Sequence, residues 1–291
     1  MSLSRLTARS LLFAPGDSAR KMEKACASDA DLVILDLEDA VAPPAKPAAR
    51  EMVAARLGER DRPTPLWVRI NPLATRDALL DLAAIVPGRP DGILLPKAGP
   101  EEALRLHHYL SALEAAAGLA LETIRTMVVA TETPAAMFAI GGYAGTPRLS
   151  ALTWGAEDIA TAIGATHNRD SAGEYDFTYQ LARSLCLTGA AAAGVSAIET
   201  MHGDFRDPAG LEQIAGAARR AGFTGMIAIH PDQVETINRA FAPSEEEIAR
   251  AARIVALFDA APQAGTLALD GEMLDRPHLV RAAALLERVG R

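Results

Sequence analysis

At 291 residues, with 49% hydrophobic content and a formal net charge of −8, the chain is long enough for one large core or two smaller ones, and α/β barrels of this length fold as single domains. It has no block of like charge, which argues against a general nucleic-acid or anionic-membrane binder, since both need a concentrated basic face. Its two cysteines, Cys26 and Cys186, rule out a disulfide framework, and the run Leu11–Ala14 is cut by Pro15 and Gly16, too short for a signal-peptide core or a membrane span, so cytoplasm is the expected location.

Read in chain order, short apolar runs recur at Ser10–Ala14, Leu32–Leu37, Leu66–Ile70, Gly92–Leu95, Thr126–Ala130, Leu149–Trp154, Val195–Glu199 and Met226–Ile229. They are nearly continuous in Val, Ile and Leu rather than alternating, the pattern of parallel strands covered on both faces. Helix-like segments lie between them at Ala19–Ala27, Pro47–Leu57, Glu101–Ala116, Tyr179–Ala193 and Leu211–Ala221, and two more, Glu245–Ala260 and Pro277–Val289, follow the last run. The 18 prolines and 22 glycines are spread along the chain, so no linker stands out. Alternating strands and helices predict a parallel sheet with right-handed crossovers. Eight strands, with extra helices only at the end, favour closure into a (β/α)₈ TIM barrel over residues 1–242 and a C-terminal helical extension over 243–291.

Polar residues close these runs: Asp36, Glu38 and Asp39 the second, Arg69 and Asn71 the third, Lys97 the fourth, Glu132 the fifth, Glu157 and Asp158 the sixth, His202 the seventh and His230 the eighth. Barrel chemistry sits at the carboxyl ends of the strands, so these groups are expected to converge on one mouth.

Glu132 and Asp158 stand just after neighbouring runs. Two carboxylates from adjacent strands can share a cation, and a pair of oxygen donors without a His or Cys set suits Mg²⁺, with Mn²⁺ possible, better than Zn²⁺. The competing reading is that both acids cap the helices that follow. Arg69, in an apolar run, needs an anionic partner. It can fork onto a substrate carboxylate or enolate oxygen, neutralise Asp36 or Glu38, or do both, since the two readings are compatible. Glu38 and Asp39 are expected to hold metal-bound waters and orient Arg69, Lys46 and Arg50 to form ion pairs, and Lys97 to be a protonated structural partner rather than a Schiff-base lysine. His230 is read as a hydrogen-bonded residue packing the mouth; His107, His108, His167 and His278 show no ligand spacing and read as surface residues.

The segments Arg9–Gly16, Leu35–Val41 with Lys46 and Arg50, and Val68–Asn71 carry a resemblance. It continues through Leu95–Lys97, Glu132-Thr133, Gly155–Asp158, Gly225–Gln233 and Leu269–Asp275. In order and spacing they resemble the citrate lyase β-chain family of the HpcH/HpaI aldolase superfamily, which includes malyl-CoA and citramalyl-CoA lyases. The resemblance implies a (β/α)₈ barrel, a homotrimer (or hexamer), Mg²⁺ on Glu132 and Asp158, and a substrate contact at Arg69. It also implies that the C-terminal extension reaches a neighbouring subunit's site, where Asp275 is the general base. Arg20 and Lys24 match positions that hold CoA phosphates. Met226 departs from the family, in which many members carry lysine, and so bears on the CoA contacts.

The implied reaction is a reversible cleavage of a 3-hydroxy-3-carboxyacyl thioester, on CoA or an acyl carrier, to a 2-oxo acid and an acetyl thioester. In it, Arg69 and backbone N–H groups around Gly155, Ala156 and Glu157 stabilise negative charge. An acyl-CoA thioesterase on the same scaffold, a β chain working only beside an acyl carrier protein, and a non-catalytic binding homologue are the alternatives.

Overall fold

The computed structural model describes residues 5–59 and 61–290. Eight parallel strands close into a barrel: Ser10–Pro15 (β1), Leu32–Asp36 (β2), Leu66–Arg69 (β3), Gly92–Leu95 (β4), Arg125–Val129 (β5), Leu149–Thr153 (β6), Ser196–Glu199 (β7) and Gly225–Ala228 (β8), with β8 pairing back onto β1. Around them run Ala19–Cys26 (α1), Lys46–Leu57 (α2), Arg76–Ile85 (α3), Pro100–Ala116 (α4), Pro134–Ala139 (α5), Glu157–Ala162 (α6), Phe177–Ala193 (α7), Pro208–Ala221 (α8) and Val234–Phe241 (α9). All eight expected strands form, each within a residue or so of its apolar run. The short α3, α5 and α6 were not singled out in the sequence, because three turns or fewer give little periodicity to read.

The unbroken apolar character of the strands reflects burial on both faces, and β2 is buried at every position. Leu11, Leu32, Ile34, Trp67, Leu94, Met127 and Ile198 form the inner core. Their neighbours Leu12, Val33, Leu35, Val68, Ile93, Leu95 and Val128 pack in the layer beneath the helices. This two-residue alternation decides which side chains can reach the lumen. Trp67 fills its floor, and Gly92, its register partner on β4, leaves the room: a Cβ there would stand 2.5 Å from the indole ring.

Residues from Ala242 form a second compact unit. It holds Glu245–Ala260 (α10), Thr266–Leu269 (β9), Glu272–Asp275 (β10) and Arg276–Arg288 (α11), with β9 and β10 an antiparallel pair. Ser244 and Glu247 build a capping box at the start of α10. Ala251, Ile254, Phe258, Leu274 and Ala282 form this unit's own small core. The extension is therefore not purely helical: between its two helices the chain folds as a hairpin, turning at Asp270 and Gly271, both with left-handed backbone. Among the described residues no helix is long and apolar enough to cross a membrane.

Candidate active site

At the carboxyl ends of the strands a cavity of about 370 Å³ is lined by Phe13, Asp36, Asp39, Arg69, Glu132, Trp154, Gly155, Ala156, Glu157, Asp158 and Tyr175, among others. Its chemistry is built on register. Asp36 and Arg69 are partners across β2 and β3, both the last residue of their strand. The Arg69 guanidinium lies fork-on-fork against the carboxylate, Nε donating to Asp36 Oδ1 at 2.7 Å and Nη2 to Oδ2 at 2.5 Å. The same carboxylate accepts the N–H groups of Glu38 and Ala40, so the strand-to-helix corner folds around it. Arg69 thus takes the structural partner expected of it. Nη1, 3.3 Å from Glu38 Oε2, remains on the cavity side, and the group stacks over the Phe13 ring at 4.7 Å. Burial opposes the charge on Arg69, but Asp36 more than offsets it and raises the pKa, keeping the guanidinium cationic.

Lys97 adopts a left-handed backbone at the end of β4. Its ammonium reaches Glu38 Oε1 at 2.6 Å, Asp158 Oδ1 at 3.2 Å and Asp39 Oδ2 at 3.4 Å. Burial works against that charge, yet the hydrogen bond to Glu38 and the surrounding carboxylates raise the pKa and hold it protonated, as expected of a structural lysine. Glu38 is nearly inaccessible and its Oε2 has no hydrogen-bond partner. Burial therefore raises its pKa in spite of Arg69 and Lys97.

Glu132 follows β5 and is buried. Its Oε2 accepts the Lys97 backbone N–H at 2.6 Å. Gly155 faces Oε1, to which a Cβ would come within 3.4 Å. Burial first, then the nearby Asp158 and Glu38 carboxylates, push the Glu132 pKa up to about 8. Asp158 lies in the first turn of α6 and caps nothing; the helix has no side-chain cap. The capping reading fails for Glu132 as well, because Thr133 caps α5. An oxygen pair from adjacent connections, one member buried beside other carboxylates, fits a hard divalent ion such as Mg²⁺. Among the described residues no cluster of three or more His, Cys, Asp or Glu side chains competes for it.

Several expectations are corrected. Among the described residues Lys46 forms no ion pair: its ammonium donates to the Leu37 and Glu38 carbonyls and to Asn71 Oδ1, because the turn presents carbonyls there rather than acids. Arg50 does pair, with Asp77 and Asp81 of α3. The Gly155 N–H is already donated to Thr131 Oγ1, so it is not free to stabilise a developing anion. Glu157 accepts from Asn168 and otherwise faces solvent. Met226 is fully buried in the strand–helix layer.

His278 is not a bystander. Its Nδ1 lies 2.5 Å from Asp275 Oδ1, and this bond holds the Asp275 carboxyl below the usual range. His230 bonds the Asp232 N–H and stacks on Phe205, as a packing histidine should. Arg20 and Lys24 line a neighbouring groove of about 610 Å³ that shares Phe13, Pro15 and Ile229 with the main cavity.

Sequence reasoning missed Glu199 and Trp154. The buried Glu199 carboxylate, ending β7, accepts Trp154 Nε1 at 2.5 Å and Arg183 Nε at 2.7 Å, fixing the indole that walls the cavity. An acid closing an apolar run was the available signal.

The chain belongs to the HpcH/HpaI aldolase/citrate lyase family, whose model matches residues 9–231. It is 34% identical over 292 residues to the mitochondrial citramalyl-CoA lyase of Rattus norvegicus, covering 94% of this chain and 83% of that one. It is 33% identical over 287 residues to a (3S)-malyl-CoA thioesterase of Cereibacter sphaeroides, covering 96% and 94%. The crystal structure of protein CitE from Mycobacterium tuberculosis in complex with magnesium, acetoacetate and coenzyme A matches with a TM-score of 0.80 at 31% identity, covering 99% of this chain and 100% of that one.

Proposed function

We propose that this protein is a Mg²⁺-dependent carbon–carbon lyase, using Mn²⁺ as a substitute, that cleaves or forms a 3-hydroxy-3-carboxyacyl thioester such as malyl-CoA, citramalyl-CoA or a citryl thioester. The observation that carries this reading is the convergence of Glu132, Asp158 and the clamped Arg69 on one cavity at the barrel mouth. Glu132 and Asp158 hold the ion, which supplies Lewis-acid polarisation of the substrate's hydroxyl and carboxylate oxygens.

Arg69, fixed by Asp36, presents a preorganised positive charge to the negative charge that develops as the bond breaks. Glu38, Asp39 and Lys97 form the charged surround that keeps it and Asp158 in place. In cleavage the hydroxyl passes its proton to solvent, the C–C bond breaks to a 2-oxo acid and an acetyl-thioester enolate, and Asp275 relays a proton taken up from solvent to the enolate carbon. In synthesis Asp275 removes a proton from the acetyl methyl group. Gly155, Ala156 and Glu157 shape the wall beside the substrate. Arg20 and Lys24 bind the CoA phosphates in the adjoining groove.

The role of Asp275 goes with a homotrimeric or hexameric assembly in which residues 243–291 complete a neighbour's site, and with a cytoplasmic setting. Light scattering gives the subunit count. Mixing an Asp275→Asn chain with a Glu132→Ala chain tests the shared site, since hybrid oligomers regain turnover only if the two residues act across subunits.

The thioesterase reading is favoured by the (3S)-malyl-CoA thioesterase relative. A panel of malyl-, citramalyl-, β-methylmalyl- and citryl-CoA with Mg²⁺ separates the two. Release of a 2-oxo acid, lost in Glu132→Ala, supports the lyase. Free hydroxy acid without 2-oxo acid identifies a thioesterase, and full turnover in Glu132→Ala defeats the metal assignment.

A further inference from the structure

The opposite end of the barrel carries a second charged cavity. About 410 Å³ in volume, it lies where the connections enter β3, β4 and β5, and is lined by Arg62, Arg89 and Arg125 with Asp91 as its one acid. Each arginine comes from a different connection: Arg62 precedes β3, Arg89 precedes β4 on a left-handed backbone, and Arg125 opens β5. The Arg62 Nη2 donates to the Arg89 carbonyl at 2.9 Å, which turns the guanidinium along the cavity, and its Nη1 is buried with no hydrogen-bond partner. Among the described residues the Arg89 and Arg125 side chains form no ion pair. Asp91, whose Oδ2 accepts the Leu66 N–H at 2.8 Å, offsets only one of the three positive charges, and among the described residues no guanidinium pairs with it.

Arginine does not shed its proton, so three such groups around one space cannot relieve their repulsion by titrating. A chain with an excess of acidic residues nevertheless places only one, Asp91, against these three arginines among the described residues. We propose that this cavity binds a small, multiply charged oxyanion, of the oligophosphate or polycarboxylate class, at a site separate from the catalytic mouth. Planar guanidinium forks match the oxygen geometry of both groups. An anion held there ties together the entrances of three consecutive strands, so occupancy raises the thermal stability of the barrel.

The test uses the full chain at constant ionic strength, titrated with tripolyphosphate, inorganic phosphate and citrate and followed by calorimetry and thermal melting. The expected result is saturable binding of tripolyphosphate or citrate with a higher melting midpoint, weakened at least tenfold in an Arg62→Gln/Arg125→Gln variant. The stronger of the two ligands identifies the phosphate or the carboxylate source. Arg125→Gln alone, a change at an exposed side chain, repeats the comparison if the double variant fails to fold. No saturable binding, or binding that these arginine changes leave intact, overturns the proposal.

Discussion

The Lys97 ammonium lies 2.6 Å from Glu38 Oε1 and is the only hydrogen-bond donor that oxygen has among the described residues. Glu38 is buried, and its other oxygen has only the distant Arg69 Nη1. Replacing Lys97 with methionine therefore strands a buried acceptor, at a cost of about 1–3 kcal/mol. A lowered denaturation midpoint is expected, and Lys97→Met should be partly rescued by Glu38→Gln, which removes the charge left behind. A double-mutant cycle measures the coupling; strict additivity would mean the contact contributes nothing.

Glu132 predicts a pH dependence of metal binding. Its pKa is raised to about 8, so between the ordinary carboxylate range and that value the folded protein holds a proton the unfolded chain has released. Stability of the metal-free fold accordingly falls as pH rises through this window. Mg²⁺ binds the deprotonated form, so its affinity should climb by about tenfold per pH unit up to about pH 8 and then level off. Calorimetric titration without substrate checks this, and Glu132→Gln should flatten the profile.

Arg69 and Asp36 are expected to separate activity from folding. Lysine at position 69 keeps the charge but loses the two-pronged geometry, and turnover should fall by roughly 10²–10³ with little change in substrate KM. Asp36→Ala leaves the guanidinium buried without its partner, costing about 3–5 kcal/mol. Circular dichroism melts with steady-state kinetics distinguish the two outcomes.

At the barrel floor, Gly92→Ala should destabilise by about 1–3 kcal/mol, because the new methyl meets the Trp67 ring. Pairing it with Trp67→Leu should recover part of the loss. An effect that persists undiminished in the double variant would assign it to the backbone rather than to the ring.

What could be read from the sequence alone was whatever depends on local pattern. Eight apolar runs, unbroken because both faces are covered, foretold the strands and their closure. The polar residues ending the runs pointed to Asp36, Asp39, Arg69, Glu132, Glu157 and Asp158 at the mouth, but His202 and His230, expected there too, line neighbouring grooves. Tertiary structure alone decided how those groups divide their partners. Arg69 takes Asp36 because their strands pair in register, and Lys46 finds carbonyls because the turn after β2 points them at it. Glu199 holds Trp154 across a gap of 45 residues, and a hairpin ending at Asp275 forms between the two C-terminal helices. The arginines of the lower cavity are scattered over more than 60 positions and share a space only once the strands are laid side by side. Pattern reports on neighbours along the chain, whereas pairing and charge compensation depend on distances that exist only after the barrel has closed.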